Sequence, residues 1–165
     1  MKKILLFVFL LLVSVNLFAD TNMKIIGTVD LKTNKLTVKA GERNVLVKTL
    51  YNKIDLNYGS KERFVKILEE HIPIVNKAQE LDIKYYRSTS QFIDSENNTK
   101  IMFSVSTNYI FMKVSTNGQY IEDIRLTVDE AKQLIDLINN AVEDKKELDN
   151  KIQTLNEMVN EVKKI

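Results

Sequence analysis

Residues 99–126 read TKIMFSVSTNYIFMKVSTNGQYIEDIRL, and this stretch decides the fold. The run 101–107 places Ile101, Phe103, Val105 and Thr107 on one face and Met102, Ser104 and Ser106 on the other, which is the period of a half-buried β-strand. Two further strand-like runs, 109–115 and 119–126, flank Asn117-Gly118. Asn-Gly is the preferred pair in two-residue hairpin turns, because both positions adopt positive φ. The stretch therefore predicts a meander of antiparallel strands, preceded by another strand within 83–93.

The N-terminal half carries the same type of signal. Its predicted strands are 24–30, 35–39, one beginning at Val45, and one containing Ile54, Leu56 and Tyr58. Ser60 is then the expected N-cap of a helix whose apolar stripe runs from Phe64 to Leu81. Because Pro73 lies inside that stripe, we expect a kink or two short helices there.

Strands followed by a helix occur twice, and this order predicts an α+β domain. We expect an antiparallel sheet meander with helices on one face and a long C-terminal helix. The two halves share no residue-level identity that would indicate a duplication. The same order occurs in unrelated proteins, so it does not by itself indicate a function.

The last helix has the clearest start signal in the chain. Thr127 and Glu130 form a T-x-x-E capping box, and neither Gly nor Pro follows from 128 to 165. A wide apolar stripe extends to Val142 and suits a helix that covers a sheet. We therefore place the α+β domain at 20–144 and a C-terminal extension of the helix at 145–165.

Beyond Val142, the apolar stripe narrows to a heptad seam whose spacing already starts inside the domain. Its two core positions are occupied by Ile138, Ala141, Lys145, Leu148, Ile152, Leu155, Val159 and Val162. Ile or Val at the first core position with Leu at the second favours a parallel two-stranded coiled coil, whose register Lys145 would restrict. Two alternatives remain open: the segment folds back along the domain, or it is an unpaired tail.

Residues 1–19 have the layout of a secretory signal peptide. Lys2 and Lys3 precede a short apolar run, and the expected cleavage site follows Ala19. The remaining 146 residues contain no cysteine and have a formal charge of zero, which gives no reason to expect a nucleic-acid partner. Richness in Lys, Ile and Asn suggests an AT-rich bacterial genome. We therefore expect a periplasmic or secreted bacterial protein with no stable membrane span after processing.

The inventory of catalytic side chains is poor. His71 is the only histidine, and its neighbours on the predicted helix are apolar. The sequence contains no H-E-x-x-H, G-x-S-x-G, G-x-G-x-x-G or P-loop pattern. We therefore predict no catalytic residue, no cofactor and no metal site, and we expect a structural role for His71.

Aromatic residues on the strands form a second candidate surface. In the run 109–115, Tyr109 and Phe111 point to one face, and Ile110 and Met112 point to the other. One face would then carry an exposed aromatic patch, although aromatic rings on strands are more often buried in the core. The residues of this candidate aromatic surface are Tyr85, Tyr86, Tyr109, Phe111 and Tyr120.

These observations favour a non-enzymatic envelope protein that binds a protein partner or self-associates through its C-terminal helix. The alternative is a small-ligand-binding module that uses the aromatic sheet face. A hydrolase based on two carboxylates is a third hypothesis, because carboxylates are plentiful. Two buried carboxylates with displaced pKa values would favour that third hypothesis.

We predict that export removes residues 1–19 and leaves Asp20 as the first residue. N-terminal sequencing of the secreted or periplasmic protein measures this directly. Recovery of the chain in a membrane fraction with Met1 still in place would contradict it and would indicate an anchor.

Overall fold

A computed structural model describes residues 23–41, 44–51, 53–94 and 98–162. The predicted signal peptide, 1–19, lies outside the described residues. The elements in chain order are β1 (Lys24–Asp30), β2 (Lys35–Ala40), β3 (Asn44–Lys48), β4 (Lys53–Asn57), α1 (Tyr58–Glu80), β5 (Tyr86–Asp94), β6 (Thr99–Ser106), β7 (Ile110–Thr116), β8 (Gln119–Leu126) and α2 (Val128–Val162).

The strands form two antiparallel meanders of four strands each, in the orders β1-β2-β3-β4 and β5-β6-β7-β8. Each meander is followed by a helix, so the predicted α+β class is confirmed. The predicted antiparallel meander is present twice, as two separate sheets, since no described strand of the first half pairs with a described strand of the second.

The hairpin between β7 and β8 forms at the predicted turn. Asn117 and Gly118 have φ values of 52° and 76°, as a type I′ turn requires. A β-bulge between Val114 and Ser115 then shifts the register, so that Phe111 lies opposite Arg125. The bulge fixes which side chains of β8 share a face with those of β7.

Helix α1 begins earlier than its sequence suggested. Asn57 is the N-cap, and its side-chain oxygen accepts a hydrogen bond from the Ser60 backbone N–H at 2.7 Å. Ser60 is therefore inside the helix, and Tyr58 is its first residue rather than the end of a strand. Pro73 lies within one continuous helix, so the expectation of two short helices is wrong.

Each helix covers mainly the sheet of the other half of the chain. Helix α2 packs mainly on β1 and β2 and less on β3 and β8, whereas α1 packs on β5, β6 and β7 and also on β3 and β4. The two helices also pack against each other. The inward side chains of both sheets and both helices consequently form one hydrophobic core.

Gly27 of β1 lies against the side chain of Leu137 of α2. A Cβ atom added at Gly27 would lie 2.6 Å from Cδ2 of Leu137, well inside van der Waals contact. A larger residue at this position would therefore require the Leu137 side chain to move.

A buried carboxylate on β8 joins the two halves. Glu122 accepts a hydrogen bond from Nδ2 of Asn34 at 3.0 Å and another from the Thr49 hydroxyl at 2.5 Å. Asn34 lies in the β1–β2 turn, and Thr49 directly follows β3. Glu122 therefore attaches two points of the first sheet to the edge strand of the second.

We predict that Glu122→Ala lowers the free energy of unfolding by about 1–3 kcal/mol, because it leaves the donors of Asn34 and Thr49 without this acceptor. Glu69→Ala, which removes an exposed carboxylate from α1, is the matched control and should change it by less than about 0.5 kcal/mol. Urea unfolding followed by circular dichroism compares the two variants. Equal stability of both would show that the Glu122 bridge contributes nothing.

Candidate functional site

The C-terminal half of α2 leaves the domain. The helix is continuous from Val128 to Val162, and it buries Ala131, Leu134 and Ala141 in the core. Beyond Val142, none of the described side chains of the helix is buried. At 1.5 Å per residue, the segment after Val142 extends about 30 Å. In the single chain, this segment does not fold back along the domain.

The heptad seam is therefore divided into a buried part and an exposed part. Ile138 and Ala141, which the sequence assigned to the seam, lie in the domain core and are fully buried. Ile152, Leu155 and Val159 are exposed by 46%, 60% and 50%. The side chains of Lys145, Leu148 and Val162 lie outside the described part of the structure. The exposed apolar stripe is defined here as Ile152, Leu155 and Val159.

Polar pairs on the projecting segment stabilise it as a helix without covering the stripe. Lys151 donates to Glu147 at 2.6 Å, and Gln153 donates to Glu157 at 3.0 Å. Both pairs have i,i+4 spacing, which contributes a few tenths of a kcal/mol each on an exposed helix. The apolar stripe itself has no described partner within the single chain.

A second candidate site lies on the outer face of the β5–β8 sheet. The ring centroids of Tyr86 and Phe111 are 5.9 Å apart, and those of Tyr109 and Phe111 are 6.1 Å apart. Both pairs have the edge-to-face geometry that aromatic rings prefer. The guanidinium carbon of Arg125 lies 5.6 Å from the centroid of Phe111. Tyr86, Tyr109, Phe111 and Arg125 are called the aromatic cluster below.

The other two predicted aromatic residues do not join this cluster. Tyr85 points away from it and lines an apolar groove of about 380 Å³ at the end of α1, together with Pro73 and Leu81. Tyr120 lies at the far end of β8, where the ammonium nitrogen of Lys113 is 4.9 Å from its ring centroid. Desolvation and the negative charge of the neighbouring Asp123 raise the pKa of the Tyr120 hydroxyl above its ordinary value.

A mixed polar groove of about 450 Å³ adjoins the aromatic cluster and shares two of its residues. One wall is the β1–β2 turn, which the Asn34–Glu122 hydrogen bond holds beside β8. The rest comes from Tyr109 directly before β7, from β8 and from the first turn of α2. The residues that line the groove are Leu31, Lys32, Thr33, Asn34, Tyr109, Asp123, Ile124, Arg125, Thr127 and Glu130.

Sequence reasoning missed Arg125 and Lys32 as members of this site. Counting outward from the Asn117-Gly118 turn would place Phe111 opposite Ile124, whereas the bulge at Val114 places it opposite Arg125. Lys32 belongs to the β1–β2 turn, which the Asn34–Glu122 hydrogen bond connects to β8. No pattern in the sequence carries either piece of information.

His71 is a packed core residue. Its Nδ1 lies within hydrogen-bond distance of the Ile67 carbonyl oxygen, so Nδ1 is the donor, and Nε2 contacts the Thr89 hydroxyl. Its ring also packs against Phe103, at a centroid distance of 5.6 Å. Thr89 reaches the imidazole from a β-bulge in β5. No carboxylate is among the hydrogen-bond partners described for His71, so these contacts do not form a catalytic triad.

Across the described ranges 23–41, 44–51, 53–94 and 98–162, no three His, Asp or Glu side chains converge as a metal site would require. No helix in the same ranges is both long and apolar enough to cross a bilayer. The sequence matches no protein-family model and has no significant similarity to a curated protein. Inference about function therefore depends on the geometry of the two candidate sites.

We predict that His71→Gln lowers the free energy of unfolding by about 1 kcal/mol and leaves self-association unchanged, because His71 packs inside the domain, away from both candidate sites. Thr89→Val, which removes the hydroxyl partner, should have an effect of similar size. Thermal unfolding and sedimentation equilibrium measure both quantities. Loss of association at unchanged stability would contradict a purely structural role for His71.

Proposed function

We propose that the protein is an exported, non-enzymatic envelope protein that self-associates through its C-terminal helix. The observation that carries the proposal is the exposed apolar stripe on a segment that extends beyond the domain. Ile152, Leu155 and Val159 follow heptad spacing, and the positions between them are mostly polar. Export is supported by the N-terminal sequence alone.

Helix stability gives an independent reason for a partner. The buried half of α2 supplies the nucleus for this segment, but without tertiary contacts the segment has only its ordinary helix propensity and is marginally stable in water. The pairs Glu147–Lys151 and Gln153–Glu157 provide only small stabilisation. Burial of the stripe against a second copy would supply the missing packing energy.

The chemistry of the seam favours a parallel pair. Ile152 and Val159 occupy the first core position, and Leu155 occupies the second, a distribution that favours two parallel strands. Because α2 starts in the domain core, a parallel pair would place both domains at the same end of the coiled coil. The dimer would then carry the outer faces of two β5–β8 sheets at one end of the coiled coil.

A second candidate function is the binding of a small ligand on the outer face of the β5–β8 sheet. The specific observation that favours it is the groove of about 450 Å³ that adjoins the aromatic cluster. This volume is within the range of small-molecule sites. The two functions involve different ends of the structure, so they are compatible.

We predict that replacing both Ile152 and Leu155 with Asp raises the dissociation constant of the dimer at least about 100-fold, equal to about 2.7 kcal/mol. The reason is that charges in an apolar seam must be desolvated or must separate the helices. The matched control replaces Asn150 and Thr154 with Asp, which adds the same charges outside the seam and leaves the Gln153–Glu157 pair in place. Sedimentation equilibrium measures association, and urea unfolding of the domain should be unchanged in both variants.

The absence of cysteine from the chain makes the orientation directly testable. In a parallel pair, Leu155 faces Leu155 of the other copy, so Leu155→Cys should crosslink under mild oxidation. Thr154→Cys should not. A wild-type protein that is monomeric at all concentrations would refute self-association, and dimers that fail to crosslink at Leu155→Cys would refute the parallel arrangement.

A further inference from the structure

Strand β5 is an edge of the second sheet, and it pairs with β6 alone. Both backbone groups of Tyr85, just before the strand, face β6. Its N–H donates to the Thr107 hydroxyl at 3.0 Å, and its carbonyl oxygen accepts from the Thr107 N–H at 3.1 Å. Backbone groups alternate in direction along a strand, so those of Tyr86 and Ser88 point away from β6. Among the described residues, none forms a backbone hydrogen bond with these outward groups.

The open part of this edge is short, because two features close the rest of it. Arg63 donates from its guanidinium to the outward carbonyl oxygen of Ile93 at 2.6 Å. A β-bulge between Ser88 and Ser90 interrupts the register in the middle of the strand. Features of this kind prevent whole strands from pairing edge to edge. The open edge, residues 86–88, therefore fits a short extended segment better than a second long strand.

The apolar groove of about 380 Å³ lies beside the open edge. Helix α1 runs antiparallel to β5, since Arg63 near its start contacts Ile93, and His71 in its middle contacts Thr89. The last turns of α1 consequently lie beside the start of β5. The apolar residues that line the groove between them are Pro73, Ile74, Ala78, Leu81, Ile83 and Tyr85.

This groove offers apolar contacts and no unpaired charge. Ile74, Leu81 and Ile83 are exposed by 39%, 53% and 45%, so the groove is open to solvent. Lys77 is the charged residue of the lining, and its ammonium group donates to the carboxylate of Glu80 at 2.7 Å. The groove therefore complements an uncharged apolar side chain.

We propose that the open edge and the apolar groove together bind an extended, uncharged peptide segment of a partner protein by strand addition. The outward groups of Tyr86 and Ser88 would hydrogen-bond with the peptide backbone. In an added strand every second side chain points to the α1 side, so apolar residues at alternate positions would enter the groove. A helix does not match this site, because its backbone groups are already paired. The inference goes beyond self-association, since this site lies on β5 and α1 and the heptad seam lies on α2.

The test uses the exported protein and the acetylated, amidated peptide TVTVT, whose valines occupy alternate positions. Binding should slow hydrogen exchange at the backbone amides of Tyr86 and Ser88 at least about five-fold, because both become hydrogen-bonded. The amide of Arg87, which faces β6, should not change. Ile74→Lys should weaken binding at least about ten-fold by placing a charge in the groove. Ile93→Lys is the matched control, because Ile93 is also exposed but lies at the other end of β5.

Two further peptides separate strand addition from apolar contact alone. One is methylated at the backbone nitrogens of its valines and the other at those of its threonines. Successive N–H groups of a strand point to opposite edges, and only one edge of the peptide would face β5. One methylated peptide should therefore bind at least about ten-fold more weakly than the other.

Each of the other outcomes would overturn the proposal. Equal binding of the two methylated peptides, or binding without protection of Tyr86 and Ser88, would show that no strand is added. Absence of any change at Ile83, Tyr86 or Ser88 with excess TVTVT would exclude the site itself. Protection of Tyr86 and Ser88 that rises with protein concentration, without peptide, would assign the edge to a second copy of the chain.

Discussion

The rest of the structure depends on one constraint: the helix that follows each sheet packs mainly on the other sheet. An antiparallel sheet with one apolar face needs a cover, and in this protein the first sheet is covered by the last helix of the chain. Helix α1, which joins the two meanders, lies mainly on the second sheet and fills the space between them. Neither half can therefore bury its own apolar face alone, and the two halves share one core.

This arrangement also determines where the two candidate sites lie. Because the buried stripe of α2 is fixed on β1 and β2, the direction in which the rest of the helix leaves the domain is fixed as well. The same helical stripe changes from buried to exposed where the domain ends, between Ala141 and Ile152. The first half of this helix therefore packs in the core and the second half is exposed, although the apolar spacing continues through both.

The outer face of the second sheet is exposed for a different reason. Both helices lie on the inner faces, so nothing in the described structure covers Tyr86, which is 69% exposed. The bulge at Val114 brings Arg125 over Phe111, and the buried Glu122 brings the β1–β2 turn beside Arg125. The β-bulge at Val114 and the buried carboxylate of Glu122 therefore create the groove.

The sequence by itself determined the local structure. Strand alternation located β6 and β7, Asn117-Gly118 specified the hairpin through its need for positive φ, and the Thr127–Glu130 capping box located the start of α2. These features depend on short-range sterics and hydrogen bonds, which are encoded within a few residues. The heptad spacing beyond Val142 can be identified in the sequence for the same reason, because it is also a local pattern.

Only the tertiary structure decided which sheet each helix covers, which seam residues remain exposed and which charges line the groove. Burial of Ile138 and exposure of Ile152 depend on where the first sheet ends, although both occupy the same heptad position. The division of the strands into two sheets and the pairing of Phe111 with Arg125 depend on long-range packing and on a one-residue bulge. A shift of one residue reverses the faces of a strand, so spacing in the sequence does not reveal this part of the site.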